Sequence, residues 1–102
     1  MSESLYELSA EAQDDLFEIW HRIAADSVIL ADRIEGEFTD LFELPGRMPT
    51  LGHTRRDLTV RTVLFFPLYS FLIAYQPDTQ PTRIVAVLRG KRNLKKLLKY
   101  RD

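Results

Sequence analysis

At 102 residues the chain has room for one two-layer core and not for two independent ones, which excludes a multidomain enzyme. Apolar residues make up 45% and charged residues 28%, the balance of a chain that folds. The absence of cysteine excludes a disulfide framework, a thiolate zinc site and a cysteine nucleophile, and suits a reducing cytoplasm.

Met1-Ser2-Glu3-Ser4 carries neither a basic patch nor an apolar stretch, so no signal peptide is expected. Leu5-Tyr6-Glu7-Leu8 is β-prone but too brief to stand alone, and reads as an edge or early strand of a sheet completed later. Ser9 follows as a helix N-cap, with Glu11, Asp14 and Asp15 near the positive end of the helix dipole. Ala12, Leu16, Ile19, Trp20, Ile23 and Ala24 recur at spacings of three and four, one buried face of a first helix. Asp26-Ser27 interrupts and recaps the chain. A second helix then places Leu30, Ile34, Phe38, Leu41 and Phe42 on one side and ends at Leu44-Pro45-Gly46. Gly36 weakens that helix by about 1 kcal/mol relative to alanine and is expected to mark close packing against the first. So short a break predicts an antiparallel helical hairpin whose apolar face awaits a sheet.

Residues 46–59 combine Gly46, Pro49 and Gly52 with scattered arginines, a loop long enough to suggest function. Val60 to Phe66, Ser70 to Tyr75 and Ile84 to Leu88 are β-branched and aromatic runs. Pro67-Leu68-Tyr69 and Pro77 to Pro81 supply the turns, giving three sequential antiparallel strands. The tail, Lys91 to Asp102, sets Leu94, Leu97 and Leu98 among Lys95, Lys96, Lys99 and Arg101, which predicts either a short basic amphipathic helix or a segment ordered only by a partner. The longest apolar run, Val63 to Tyr75, is broken by Pro67 and Ser70 and falls short of the roughly 20 residues that span a bilayer. A single α+β domain over 1–102 is expected: a short strand and an antiparallel helical hairpin packed on a small antiparallel sheet, cytoplasmic and without a membrane partner.

The net charge of −1 conceals a division. Up to Gly46, twelve Asp and Glu stand against Arg22 and Arg33; from Arg47 onward, twelve Lys and Arg stand against Asp57, Asp78 and Asp102. Either the second half meets something anionic, or the two halves neutralise one another in the fold.

Conventional chemistry is sparse. His21 and His53 fall on different elements with no ligand spacing, so no metal is expected, and Asp14-Asp15 are explained by the helix dipole. No glycine-rich phosphate loop and no nucleophile motif occurs, and no cofactor is expected. What remains is basic: Arg55, Arg56 and Arg61 beside the loop, then Arg83, Arg89, Lys91, Arg92, Lys95, Lys96, Lys99 and Arg101. RNA, DNA or an acidic protein surface would each suit these groups. Arg61 and Arg83 are expected to pair with the acidic helices. Phe65, Phe66, Tyr69, Phe71 and Tyr75 are expected to pack the core, with base stacking as the alternative.

The order of these elements resembles the RelE/ParE superfamily of type II toxin–antitoxin toxins. The resemblance is carried by Leu8-Ser9-Ala10-Glu11-Ala12 with Asp15-Leu16 and Ile19-Trp20, by Ala31-Asp32-Arg33, and by Leu44-Pro45-Gly46-Arg47-Met48-Pro49-Thr50-Leu51-Gly52 with Arg56-Asp57-Leu58. Phe66-Pro67-Leu68 leading into Phe71-Leu72-Ile73-Ala74-Tyr75 is similar to the ParE strand pair, and Ile84 to Arg92 to its last strand. RelE-like members cut messenger RNA on the ribosome with basic residues of the central and last strands and a C-terminal tyrosine. ParE-like members are associated with inhibition of DNA gyrase.

Arg92 matches the last-strand arginine of the RNA-cutting set, but the central-strand arginine falls on Leu72, and Tyr100 is displaced from the usual tyrosine. Leucine neither donates to phosphate nor shifts a pKa. The resemblance therefore implies a ParE-like toxin neutralised by a cognate antitoxin, with DNA gyrase as target and no catalytic residues. Its target- or antitoxin-binding residues would be Arg55, Arg56, Arg89, Lys91, Arg92, Lys95, Lys96, Lys99 and Arg101. Two alternatives stay open: a ribosome-dependent endoribonuclease using Arg61, Arg89 and Arg92, with the ribosome and mRNA as partners, and a non-toxic binding module of the same fold.

Overall fold

The computed structural model describes residues 5–48, 50–58 and 62–89. Six elements follow one another: β1 (Tyr6–Leu8), α1 (Ala10–Ala24), α2 (Val28–Arg47), β2 (Leu64–Leu68), β3 (Phe71–Gln76) and β4 (Thr82–Arg89).

Both helices start where a serine hydroxyl takes up an otherwise unpaired amide. Ser9 Oγ accepts from the Ala12 N–H at 3.1 Å and donates to the Val85 carbonyl at 3.3 Å, so the cap also ties α1 to β4. Ser27 Oγ accepts from the Leu30 N–H at 3.1 Å and starts α2. From these starts the apolar spacing delivers Ala12 and Ile19 of α1, and Phe38 and Phe42 of α2, into one core. Trp20 Nε1 donates to Asp32 Oδ1 at 2.9 Å and links the two helices close to their connection.

Helix α2 does not end at Leu44-Pro45-Gly46 as expected; it runs through buried Pro45 to Arg47. Only the last turn follows the proline, whose fixed φ is compatible with helix, and the Met48 N–H still reaches the Leu44 carbonyl at 2.7 Å. Close packing also falls elsewhere than predicted. A Cβ on Gly36 would meet nothing within 4 Å, whereas one on Gly46 would lie 2.6 Å from the Leu5 carbonyl oxygen. The glycine that lets backbones approach is the one at the end of α2, against the residue preceding β1.

The strands form one sheet in the order β1-β4-β3-β2. Adjacent β2, β3 and β4 are antiparallel as predicted, but β1 pairs parallel with β4 (Tyr6↔Thr82, Leu8↔Ile84), so the sheet is mixed. The helical hairpin and two strands intervene between β1 and β4, the long crossover that a parallel pair requires.

Of the strand expected over Val60 to Phe66, Val60 and Arg61 lie outside the described residues; β2 begins at Leu64, and Pro67 and Leu68 belong to it rather than to the turn. An edge position tolerates the proline. The Phe65 N–H and carbonyl bond outward to His53, so Pro67, two residues on, directs its missing donor to the same open side. The turn itself is Tyr69-Ser70, with Tyr69 at φ 55°.

The sheet has two apolar faces. Phe66, Ile73, Tyr75, Ile84 and Val87 meet the helices, while Val63, Phe65, Ala74, Val85, Ala86 and Leu88 form a separate cluster on the opposite side, with Leu58 and Leu72 packed against it. A bulge between Ala74 and Tyr75 in the β3–β4 ladder accounts for Val85 and Ala86 both belonging to that second cluster. Among the described residues no helix is long and apolar enough to cross a membrane.

Candidate functional site

Among its described residues the long segment after α2 is held by backbone hydrogen bonds. The Leu51 N–H bonds to the Met48 carbonyl at 2.9 Å, and His53 exchanges two backbone bonds with Phe65, at 2.7 and 2.8 Å. Between them the Gly52 N–H donates to the Tyr75 hydroxyl at 2.8 Å. A Cβ on Gly52 would lie 2.8 Å from the Phe65 carbonyl oxygen and 2.9 Å from a Tyr75 ring carbon, so only glycine brings its amide to that phenol. Tyr75 is 0% exposed; burial pushes its phenol above the ordinary tyrosine value, with the Gly52 amide pulling the other way.

This anchor presents the first basic group. Arg55 does not point freely to solvent, because its Nε and Nη2 donate to the two carboxylate oxygens of Asp57 at 2.9 and 2.7 Å. That fork raises the arginine pKa and holds the Asp57 carboxyl below its ordinary value. Arg56 is exposed and has no ion-pair partner among the described residues. Arg89 ends β4 opposite Phe71. Alternation along the strand puts it on the side of Val87, facing the helices, whereas Leu88 and Ala86 point to the other side.

Leu72 lies on that other side, packed against the cluster of Phe65, Ala74, Ala86 and Leu88. The middle-strand position that bears an arginine in the RNA-cutting pattern is therefore embedded in an apolar surface, and Arg89 projects from the reverse of the sheet. Arg61, Lys91, Arg92, Lys95, Lys96, Lys99, Tyr100 and Arg101 lie outside the described residues. No group of three or more His, Asp or Glu capable of holding a metal ion occurs among the described residues.

Several sequence expectations change in detail. Arg83 pairs with Glu7 on the neighbouring strand β1, at 3.4 Å, rather than with a helix. Asp15 does more than meet the helix dipole: its Oδ2 accepts from the Val87 N–H at 2.9 Å, satisfying a β4 amide beyond the end of β1. Phe65, Phe66 and Tyr75 are buried and Phe71 packs against the core as expected, but Tyr69 is 65% exposed. Its hydroxyl donates to Glu37 Oε2 at 2.6 Å, a bond that raises the phenol pKa and joins the hairpin turn to α2. No sequence signal marks these long-range bonds, since each joins residues at least 32 positions apart.

The arrangement offers backbone-anchored basic groups and apolar faces, and no convergent acid, base or nucleophile among the described residues. The family model described as "ParE toxin of type II toxin-antitoxin system, parDE" matches residues 6–94, from β1 through β4 and beyond. Among curated proteins none matches the chain. The strand, helical hairpin and three-strand order, together with that match over nearly the whole length, place the chain in the ParE toxin family of type II toxin–antitoxin systems, a family whose members imply a cognate antitoxin.

Proposed function

We propose that this ParE-family chain arrests growth by binding a macromolecular target, DNA gyrase, rather than by cutting RNA, and that a cognate antitoxin silences it by wrapping across the helical hairpin and sheet. The observation that carries the first part is Leu72, packed into the apolar cluster on the face opposite the helices. Cleavage of a phosphodiester builds negative charge on phosphate oxygens, and its acceleration depends on donors aimed at that charge. Leucine supplies none, its neighbours Ala74, Ala86 and Leu88 supply none, and Arg89 stands on the reverse face.

The basic second half is the recognition surface in this reading. Arg56 and Arg89 contribute from the described residues, and Lys91, Arg92, Lys95, Lys96, Lys99 and Arg101 contribute from the end of the chain. Replacing Lys95, Lys96, Lys99 and Arg101 together should weaken growth arrest or antitoxin binding. Unchanged toxicity and unchanged antitoxin affinity would remove the tail from the mechanism.

The direct test is a supercoiling assay with purified gyrase and the purified chain, alongside induced expression with an SOS reporter. Loss of supercoiling in proportion to the added protein, with filamentation in cells, supports gyrase as target. Full supercoiling with growth arrest overturns the target, and no growth arrest overturns the toxin reading in favour of a binding module.

A further inference from the structure

The second apolar face of the sheet is covered, although neither helix covers it. Val63, Phe65, Ala74, Val85, Ala86 and Leu88 are each no more than 5% exposed, and none of them belongs to the cluster that receives α1 and α2. Burial is complete where the side chains are smallest. Phe65, Ala74 and Ala86 stand in one row across β2, β3 and β4, and both alanines are 0% exposed. A methyl group stands low on a sheet, so full burial there calls for other chain lying over the row. Among the described residues the apolar side chain brought to this face from outside the strands and the adjoining Val63 is Leu58, and one leucine does not roof a face three strands wide.

Strand β4 carries the same message in its sequence. Ile84 to Leu88 is a continuous apolar run, the pattern of a strand covered on both faces rather than the alternation of one with a wet face.

Topology names the occupant. Because β4 lies between β1 and β3, the chain leaves it at Arg89 within the body of the sheet and not at an edge. Helices fill one side of that exit, and Leu88 already points to the other. Residues 90–102 start there. They set Leu94, Leu97 and Leu98 at i, i+3 and i+4, one narrow stripe of a helix, with Arg92, Lys95, Lys96 and Lys99 on its opposite side. The stripe is about 6 Å long, enough to lie over Ala74 and Ala86, whose strands run about 4.8 Å apart. No partner is needed, since the face is buried within a single chain.

We propose that residues 91–101 form a helix that seats Leu94, Leu97 and Leu98 on Ala74 and Ala86 and closes the space above Leu72. Arg92, Lys95, Lys96 and Lys99 then face outward on the side of the molecule away from the acidic hairpin, which turns the charge division of the sequence into two oppositely charged faces. This goes beyond the toxin reading and holds whatever the target is.

The chain has no cysteine, so a thiol introduced by Ala86→Cys reports on the cover alone. In the full chain that thiol should react with a maleimide about a hundredfold or more slowly than in the urea-unfolded chain. Replacing Leu94, Leu97 and Leu98 together by serine should speed the reaction about tenfold or more, whereas replacing Lys95, Lys96 and Lys99 by serine should leave it within about twofold. Ile73→Cys, beneath the helices, monitors overall folding. The milder Leu97→Ala should speed labelling of Ala86→Cys about threefold and leave Ile73→Cys as it was.

Rapid labelling of Ala86→Cys in the otherwise unaltered chain would show an open face and overturn the proposal. Protection that survives loss of the three leucines would also overturn it, as would Leu97→Ala exposing Ile73→Cys as much as Ala86→Cys. A changed Trp20 emission on replacing the leucines, with the Ala86→Cys thiol still protected, would overturn it too and assign the tail to the helical hairpin.

Discussion

Removing one oxygen from the centre of the molecule isolates the anchor beneath the basic loop. In Tyr75→Phe the ring keeps its edge-on packing against Phe66, 5.8 Å between centres, and its place in the core. The buried Gly52 N–H, which donates to the phenol at 2.8 Å, loses its acceptor. Leaving a buried donor unsatisfied costs about 1–3 kcal/mol, more than the net worth of the bond itself, because the amide has already given up water. With about 2 kcal/mol as the centre of that range, and roughly 4–8 °C per kcal/mol for a domain of this size, the melting temperature should fall by about 8–16 °C.

Urea unfolding should show the loss as a lower midpoint at unchanged slope. Amide exchange should localise it to Gly52 and its neighbours. The titration has a defined sign: burial raises the folded-state pKa of Tyr75, so its contribution is complete at neutral pH and is lost as pH rises through the tyrosine range. Tyr75→Phe should lack that alkaline loss. A variant within about 0.5 kcal/mol of the parent, a change typical of an inconsequential surface site, with Gly52 exchanging as before, would refute the view that this bond holds the loop.

The other expectations concern the helix start, the middle strand and the loop clasp. Ser9→Ala should cost about 1–2 kcal/mol in urea unfolding, the upper range for a lost N-cap, because the same hydroxyl also reaches the Val85 carbonyl; a loss well below that range would leave the cap without its sheet contact. Leu72→Arg should destabilise by about 1–3 kcal/mol through insertion of a charge among Phe65, Ala74, Ala86 and Leu88, and should not confer RNA cleavage, since Arg89 projects from the reverse face. Cleavage of a model RNA by that variant would show that a single guanidinium suffices. Because Arg55 lowers the Asp57 pKa, the carboxylate should stay charged as pH falls through the ordinary aspartate range and lose its clasp only at the lower value. A carboxyl carbon titration should place the midpoint below the normal value, and Arg55→Ala should return it there.

The parts of the fold written in the sequence are those governed by neighbours. Ser9 and Ser27 announce their helices because a cap acts over three residues, and the spacing from Ala12 to Ile23 names the buried face of α1 because helical periodicity is local. What sequence reasoning misplaced depends on distant chain. Pro67 looks like a turn residue until the edge position of β2 is known, and the parallel pairing of β1 requires the whole crossover to be traced.

The candidate site divides in the same way. Leu72 could be identified from residue type and order alone, but the apolar company it keeps is assembled from β2, β3, β4 and the loop. The Gly52–Tyr75 bond and the Asp15–Val87 bond span 23 and 72 positions, and the residue types involved suggest neither. The exposure of Phe17 escaped for another reason. Trp20 and Leu16 fit the buried stripe, and nothing in a helical pattern says that Phe17, one position along, stays in water.

Grasping a protein and cutting a message are the two modes of action open to a toxin of this fold. Mapping transcript ends by primer extension after induced expression decides between them. Intact messages at the onset of growth arrest are the predicted result. Cuts phased with codons on translated messages would contradict it, and would return Arg61, Arg89 and Arg92 to the role of catalytic residues.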